Sequence, residues 1–147
     1  MLTLLLSLFS AQADEIKVKY LWESAPNIEI CPESDITIKQ VQKALDYWED
    51  EINISYGSVK KVKKCSKKEN TIQITDGINV DKSRHLALTT VSWYFYDNMP
   101  GYKFIDHAYV KFPIDFDYPA LEEETFLHEM GHAFGLVHSD HPVMNNN

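Results

Sequence analysis

The clearest hydrophobic pattern lies between Thr37 and Asn53, where apolar residues recur at steps of three and four. This spacing places their side chains on one face of an α-helix. The residues on that face are Ile38, Val41, Leu45, Trp48 and Ile52. We therefore predict a helix that packs its apolar face onto a sheet and is capped by Ser34 or Asp35.

Five further segments have the alternating or β-branched and aromatic composition of strands. They are residues 16–23, 58–65, 71–77, 85–96 and 102–112. Asp76-Gly77 predicts a turn after the third segment, and Pro100-Gly101 predicts a type II turn between the last two. The aromatic run from Trp93 to Tyr96 fits either core packing on a strand or the lining of a ligand groove.

A second helix is predicted from the segment DYPALEEETFLHEMGHAFG, residues 117–135. Asp117 or Tyr118 precedes Pro119, which suits a first helical turn, and the acidic residues 122–124 complement the positive end of the helix dipole. Gly135 is the predicted end, because glycine adopts the left-handed conformation at low cost. The element order predicts an α+β fold with a twisted mixed sheet of about four to five strands, a backing helix and this second helix.

Length and charge restrict the functional classes. A chain of 147 residues suits one domain, and a net charge of −8 argues against nucleic acid as a partner. One basic run extends from Lys60 to Lys68. It fits a solvated strand edge, whose lysines discourage edge pairing, or a binding patch.

The first thirteen residues, MLTLLLSLFSAQA, have an apolar block followed by the small-residue triplet Ala11-Gln12-Ala13. This arrangement is typical of a signal peptide cleaved before Asp14, and the block is too short for a stable membrane anchor. The alternative is an apolar N-terminal strand. We predict residues 1–13 as a signal peptide, residues 14–147 as the domain, and an extracellular or periplasmic location.

Cys31 and Cys65 are the two cysteines of the chain. In an exported protein an even count favours a disulfide, which here would close a loop of about 35 residues and add roughly 3–4 kcal/mol of stability. Free buried thiols, or Cys31 as a removable zinc ligand, are the alternatives.

The strongest chemical signal is HEMGHAFGLVH, residues 128–138. Histidines four apart lie one above the other on a helix, so His128 and His132 can bind one ion. A sharp turn at Gly135 would bring His138 back as the third nitrogen ligand and leave a fourth position open for water. Three unrelated core histidines are the alternative.

Glu129 is rotated by about 100° from His128 and can reach that water rather than the ion. Zinc lowers the pKa of a bound water to about 7. Glu129 would accept a proton as the water attacks a carbonyl, and would then pass it to the departing amine.

These residues resemble the metzincin metallopeptidases. HEMGHAFGLVH matches their HExxHxxGxxH signature, and Met144 follows at a position that suits the Met-turn. Ser139 after the third histidine is similar to the matrixin branch, the family of the matrix metalloproteinases. The resemblance covers about residues 127–144.

The resemblance implies a metzincin-like catalytic domain in which His128, His132 and His138 bind zinc and Glu129 is the general base and acid. Met144 would lie beneath the metal as a structural floor. An edge strand above the cleft, for which residues 85–91 are our candidate, would pair with an extended peptide or protein substrate. We expect a monomer.

Several other residues have open alternatives. His141 could be a fourth zinc ligand that closes the site, or an exposed turn residue. His85, His107 and Asp106 could form a second metal site, although strand histidines are more often packed or at the surface. Asp115 and Asp117 could bind calcium, as in many matrixins, or serve in capping and surface solvation.

Two functions follow from the sequence. The first is a secreted zinc endopeptidase, and the second is a weak or inactive zinc-binding module on a reduced metzincin scaffold. Glu129 favours the enzyme, because a purely structural zinc site has four protein ligands and no use for this carboxylate. The short interval from His138 to Met144, with three residues after it, favours the module.

Overall fold

The computed structural model describes residues 15–78, 87–113 and 121–146. In these ranges, two helices and a mostly parallel sheet form a mixed fold, which is compatible with the predicted α+β class. The predicted signal peptide, residues 1–13, lies outside them. No described helix is both long enough and apolar enough to span a membrane.

Eight strands and two helices follow one another along the described chain. They are β1 (Lys17–Val18), β2 (Leu21–Trp22), β3 (Asn27–Ile30), α1 (Ile38–Ile52), β4 (Val59–Lys61), β5 (Thr71–Ile78), β6 (Leu88–Tyr94), β7 (Phe104–Pro113), α2 (Leu121–Ala133) and β8 (Leu136–Val137).

The main sheet has six strands in the order β2-β7-β5-β3-β4, with β6 also paired to β7. The prediction of about four to five strands was therefore slightly low. All pairs are parallel except β6 with β7, which is antiparallel. Strand β1 instead pairs antiparallel with β8, so the predicted strand over residues 16–23 is divided between two sheets.

Helix α1 follows the predicted apolar stripe and begins within one residue of the predicted start, but its cap is not one of the predicted residues. Its N-cap is Thr37, whose hydroxyl accepts from the Gln40 backbone N–H at 3.2 Å, while the Gln40 side chain accepts from the Thr37 N–H at 2.8 Å. Ser34 and Asp35 are not the cap: the Ser34 hydroxyl and the Asp35 backbone N–H donate to the Asp76 carboxylate instead. The reciprocal hydrogen bonds between Thr37 and Gln40 form a capping box, which satisfies two backbone N–H groups at the helix start.

The core lies between one face of the sheet and the two helices. From α1, Val41, Ala44, Leu45 and Trp48 are buried, whereas Ile38 at the helix start is 48% exposed. Their partners are apolar residues of β3, β5, β7 and α2, including Ile28, Ile30, Ile72, Ile74, Ala108, Val110, Phe112, Phe126 and Met130.

The other face of the sheet carries a buried polar cluster around Glu29. The Glu29 carboxylate accepts hydrogen bonds from Lys68 at 3.0 Å and from Gln73 at 3.1 Å, and Lys60 lies 3.9 Å away. The basic run thus supplies edge strand β4 and the counter-charges of Glu29, which supports the strand-edge interpretation. The predicted disulfide between Cys31 and Cys65 is confirmed.

Two turn predictions need correction. Asp76-Gly77 does not end β5, which continues to Ile78 with a register shift against β7. The Pro100-Gly101 turn is present, since the Tyr102 N–H donates to the Met99 carbonyl at 3.1 Å. It is not type II, because among the described glycines only Gly135 has the positive φ that such a turn requires.

The aromatic run at the end of β6 lies largely outside the core. Trp93, Phe95 and Tyr96 are 41%, 59% and 40% exposed, so the core prediction was wrong for them. Tyr94 and Tyr96 instead donate their hydroxyls to Glu23 and pack beside Phe104. Phenol groups can keep their polar ends in water at such a strand end.

Candidate metal centre

Two tryptophans hold helix α2 in place. The Trp48 indole donates to the Leu127 carbonyl, and the Trp22 indole donates to the Ala133 carbonyl, both at 2.9 Å. The second bond satisfies one of the carbonyls that a helix leaves free at its C-terminal end. The orientation of α2 is therefore set from α1 on one side and from β2 on the other.

The turn after α2 depends on Gly135, as predicted. Its φ is +96°, and a Cβ built there would lie 2.0 Å from the Tyr20 carbonyl oxygen. The Gly135 carbonyl also accepts from the Lys19 N–H at 2.9 Å. Strand β8 then pairs with β1, and this pairing directs the next residue, His138, back toward the helix.

The three predicted histidines meet at one point. Their Nε2 atoms are 3.0 Å apart for His128 and His132, and 3.2 Å apart for each of the two pairs with His138. Tetrahedral zinc with bonds of 2.0–2.1 Å needs ligand nitrogens roughly 3.3–3.4 Å apart. A small outward movement of the rings would therefore suit the ion.

Hydrogen bonds at Nδ1 determine which nitrogen of two of these rings faces the point where the histidines meet. His128 Nδ1 lies 2.6 Å from the Val143 carbonyl oxygen, and His132 Nδ1 lies 2.8 Å from the Leu136 carbonyl oxygen. Carbonyl oxygens only accept, so both Nδ1 atoms donate. In the neutral rings, each Nε2 is then an acceptor with its lone pair directed at the common point.

Burial lowers the pKa of His132, and the neighbouring His128 and His138 lower it further, against the opposing effects of the Leu136 carbonyl and Glu129. A neutral His132 is thereby favoured. Converging lone pairs repel one another unless a cation lies between them. The donor set thus fits zinc, whose common ligands include neutral imidazole nitrogens.

Met144 lies fully buried beneath α2. A Cβ at Gly131 would come within 2.5 Å of the Met144 sulfur and 2.8 Å of the Trp48 ring, so this helix position has room only for glycine. The Met144 carbonyl accepts from the Ser139 N–H at 3.1 Å. The residues after His138 therefore fold back against α2, and the role of Met144 in a Met-turn stays a prediction.

Glu129 is 8% exposed and lies at the wall of the cleft. Its carboxylate is hydrogen bonded to the Thr89 hydroxyl of β6, and it is not one of the three groups that converge on the common point. The structure therefore places it beside the histidines without making it a ligand, as the helical rotation predicted.

A cleft of about 770 Å³ runs over the three histidines. Residues of β6, α2, β8 and the final segment line it, among them Leu88, Thr89, Glu129, Val137, Pro142 and Val143. Strand β6 pairs with β7 on one side and is an edge strand in the described sheet. Its Leu88–Val91 part coincides with the end of the predicted substrate strand, whose first residues lie outside the described ranges.

His141 fits neither of its predicted roles. It is 3% exposed, and its Nε2 lies 3.0 Å from a Glu51 carboxylate oxygen, while its Nδ1 accepts from the Val143 N–H at 3.2 Å. Its ring packs against Trp48. His141 thus joins the final segment to α1, which the local sequence could not show because Glu51 is 90 residues away.

The other metal hypotheses gain no support from the described residues. His107 is buried and its Nδ1 lies 2.8 Å from the Asp106 carboxylate, whereas His85 lies outside the described ranges. Asp115 and Asp117, the calcium candidates, also lie outside them. Within the described ranges, His128, His132 and His138 are the only group of three side chains that could hold a metal.

Sequence reasoning missed the contact of Thr89 with Glu129, the close packing at Gly131 and the hydrogen bonds of the two tryptophans to α2. Glycine within the signature was the one local signal that could have indicated a close contact at Gly131. The other contacts join residues between 40 and 111 positions apart.

No protein-family model matches the chain, and a search of curated proteins found no significant match. The interpretation of this site therefore depends on its own geometry and chemistry.

Proposed function

We propose that this protein is a zinc-dependent endopeptidase of the metzincin type, with a matrixin-like site. The observation that carries the proposal is the convergence of three imidazole acceptors beside a buried carboxylate, in an open cleft. Three nitrogen ligands with one open position are typical of catalytic zinc sites, whereas structural zinc sites have four protein ligands.

The residues of the site have separate roles in this proposal. His128, His132 and His138 hold the metal, and the Val143 and Leu136 carbonyls orient two of the rings. When bound, zinc polarises a carbonyl and lowers the pKa of a water molecule to about 7. Glu129 accepts the proton of the attacking water and donates it to the departing amine.

The substrate is proposed to be an extended peptide or protein segment. Strand β6 runs along the cleft, its free edge can offer backbone N–H and C=O groups, and Leu88 on it is 41% exposed. Pairing with a strand edge provides affinity with little sequence preference, and side-chain pockets add specificity. No nucleic acid is expected, given the net charge of −8.

Export is proposed from two features. The disulfide between Cys31 and Cys65 suits an oxidising compartment, and residues 1–13 have the pattern of a signal peptide. The protein would thus act outside the cytoplasm, as a monomer and on extracellular or periplasmic substrates.

The test compares zinc-loaded parent protein with Glu129→Gln, which keeps the side-chain shape but removes the base. Glu124→Gln is the matched control, because Glu124 is an exposed residue of the same helix and lines the same cleft. Hydrolysis of a quenched, unfolded protein should fall by about 10²- to 10⁴-fold in Glu129→Gln. It should stay near the parental rate in Glu124→Gln.

Zinc content is measured in every sample. One zinc per chain with no hydrolysis by the parent would favour the zinc-binding module. A parent without bound zinc, or a Glu129→Gln variant as active as the parent, would contradict the proposed mechanism.

A further inference from the structure

The contact between Thr89 and Glu129 joins the edge strand to the residue that would move protons. The Thr89 hydroxyl oxygen is hydrogen bonded to a carboxylate oxygen of Glu129 and lies 3.0 Å from the backbone carbonyl oxygen of the same residue. Thr89 is half-buried at the cleft wall. One hydroxyl thus reaches both the side chain and the main chain of Glu129.

A hydroxyl can donate one hydrogen bond and accept others, whereas a backbone carbonyl only accepts. Toward an ionised carboxylate, Thr89 donates. The second contact, with the Glu129 carbonyl oxygen, keeps the hydroxyl beside the main chain of the same residue. The carboxyl group is thereby held against β6, at the wall of the cleft.

We infer that Thr89 is a positioning residue, which holds the Glu129 carboxyl group at the cleft wall beside the three histidines. The inference rests on the proposed function. A valine has the same shape but offers no hydrogen bond, so a buried carboxyl group would lose its described partner. Glu129 would then turn out into the open cleft to be hydrated by solvent, away from its position beside the three histidines.

Thr75 on β5 provides a matched control. Its hydroxyl also donates to a glutamate carboxylate, that of Glu33, and Thr75 is not among the residues that line the cleft. Thr75→Val therefore removes the same kind of hydrogen bond away from the proposed site.

The experiment uses the zinc-loaded parent, Thr89→Val, Thr89→Ser and Thr75→Val. We expect kcat to fall about tenfold or more in Thr89→Val, the cost of one hydrogen bond to a charged group, while KM stays within about twofold. Thr89→Ser restores the hydroxyl and should recover most of the activity. Thr75→Val should match the parent.

A second readout does not depend on activity. Crystal structures of the zinc-loaded parent and Thr89→Val should show the Glu129 carboxyl group displaced in the variant, with the three histidines unmoved. Zinc content should be equal in all four proteins.

The outcomes separate the two hypotheses. If Thr89→Val keeps the parental kcat, or Glu129 keeps its position in that variant, the role of Thr89 is overturned and the proposed function stands. Thr89→Ser as impaired as Thr89→Val would also overturn it. A zinc-loaded parent that hydrolyses nothing overturns the proposed function, and with it the role of Thr89.

Discussion

Glu29 and Glu129 are both buried carboxylates, at 4% and 8% exposure, yet their surroundings differ in kind. Glu29 lies in a polar cluster on one face of the sheet, where two lysines and an amide compensate its charge. Glu129 lies near three histidines, and its described side-chain partner is one hydroxyl. The first environment favours the ionised carboxylate and lowers the pKa of Glu29, whereas the second leaves the Glu129 carboxyl group at the wall of an open cleft.

The same difference extends to the regions around them. The Glu29 region is tied by the Cys31–Cys65 disulfide and by parallel strand pairing. The Glu129 region is held by a tight glycine turn, two indole hydrogen bonds and a buried methionine beneath an open cleft. We expect changes in the first region to alter stability alone, and changes in the second to alter the metal site as well.

The largest expected effect comes from Gly135→Ala. A residue with a Cβ in left-handed backbone costs about 1–2 kcal/mol, and the overlap with the Tyr20 carbonyl adds about 1–3 kcal/mol. Because this turn directs His138 to its position, zinc affinity should fall together with the free energy of unfolding. Urea unfolding and a chelator competition assay measure the two quantities.

Gly101→Ala is the control, since nothing lies within 4 Å of a Cβ built at Gly101. If Gly135→Ala bound zinc as tightly as the parent, the turn would not be what positions His138.

The second effect comes from replacing both cysteines by serine. Removing a cross-link between residues 34 positions apart should lower the free energy of unfolding by about 3–4 kcal/mol in the chain-entropy model. The disulfide lies in the Glu29 region, so zinc stoichiometry at low temperature should stay at the parental value. Loss of zinc from a still-folded variant would show that the two regions are not independent.

Glu29→Gln should have a smaller effect. It removes a buried charge from a hydrogen bond with Lys68 but keeps an acceptor, and the lysine is half exposed, so a loss of about 1 kcal/mol is expected. Hydrolysis should remain unchanged, in contrast to Glu129→Gln. The exposed neighbour Glu69 supplies the control variant Glu69→Gln.

The smallest expected effect is the pH dependence of the contribution that Glu29 makes to the free energy of unfolding. Burial alone would raise the pKa of Glu29, but the hydrogen bonds from Gln73 and Lys68 and the lysine charges bring it below its ordinary value of 4.5. The unfolded chain therefore takes up the proton first as the pH falls. The stabilisation is complete above about pH 4.5 and is lost as the pH falls through the lower, folded-state pKa.

This contribution is measured as the difference in unfolding free energy between the parent and Glu29→Gln at several pH values between neutral and acidic. The parent's advantage should shrink toward acidic pH. An advantage that grows as the pH falls would mean that the folded-state pKa of Glu29 is raised rather than lowered.

Local patterns predicted much of this molecule. The apolar stripe of α1, the stop at Gly135 and the spacing of His128, His132 and His138 all concern residues within a few turns of one another. Helical and strand periodicity determines such relations directly. The error at the cap of α1 involves a long-range contact: Asp76, from another strand, accepts from the Ser34 hydroxyl and the Asp35 backbone N–H, and Thr37 is the cap.

The types of candidate metal-binding side chains, their spacing and the two helices that carry or support them follow from the sequence. Three contacts follow only from the tertiary structure: those of Thr89 with Glu129, of Met144 with Gly131 and of His141 with Glu51. Those contacts depend on strand register and on how helices pack across the sheet. Many different residue pairs satisfy the same hydrophobic pattern, so only the assembled fold selects among them.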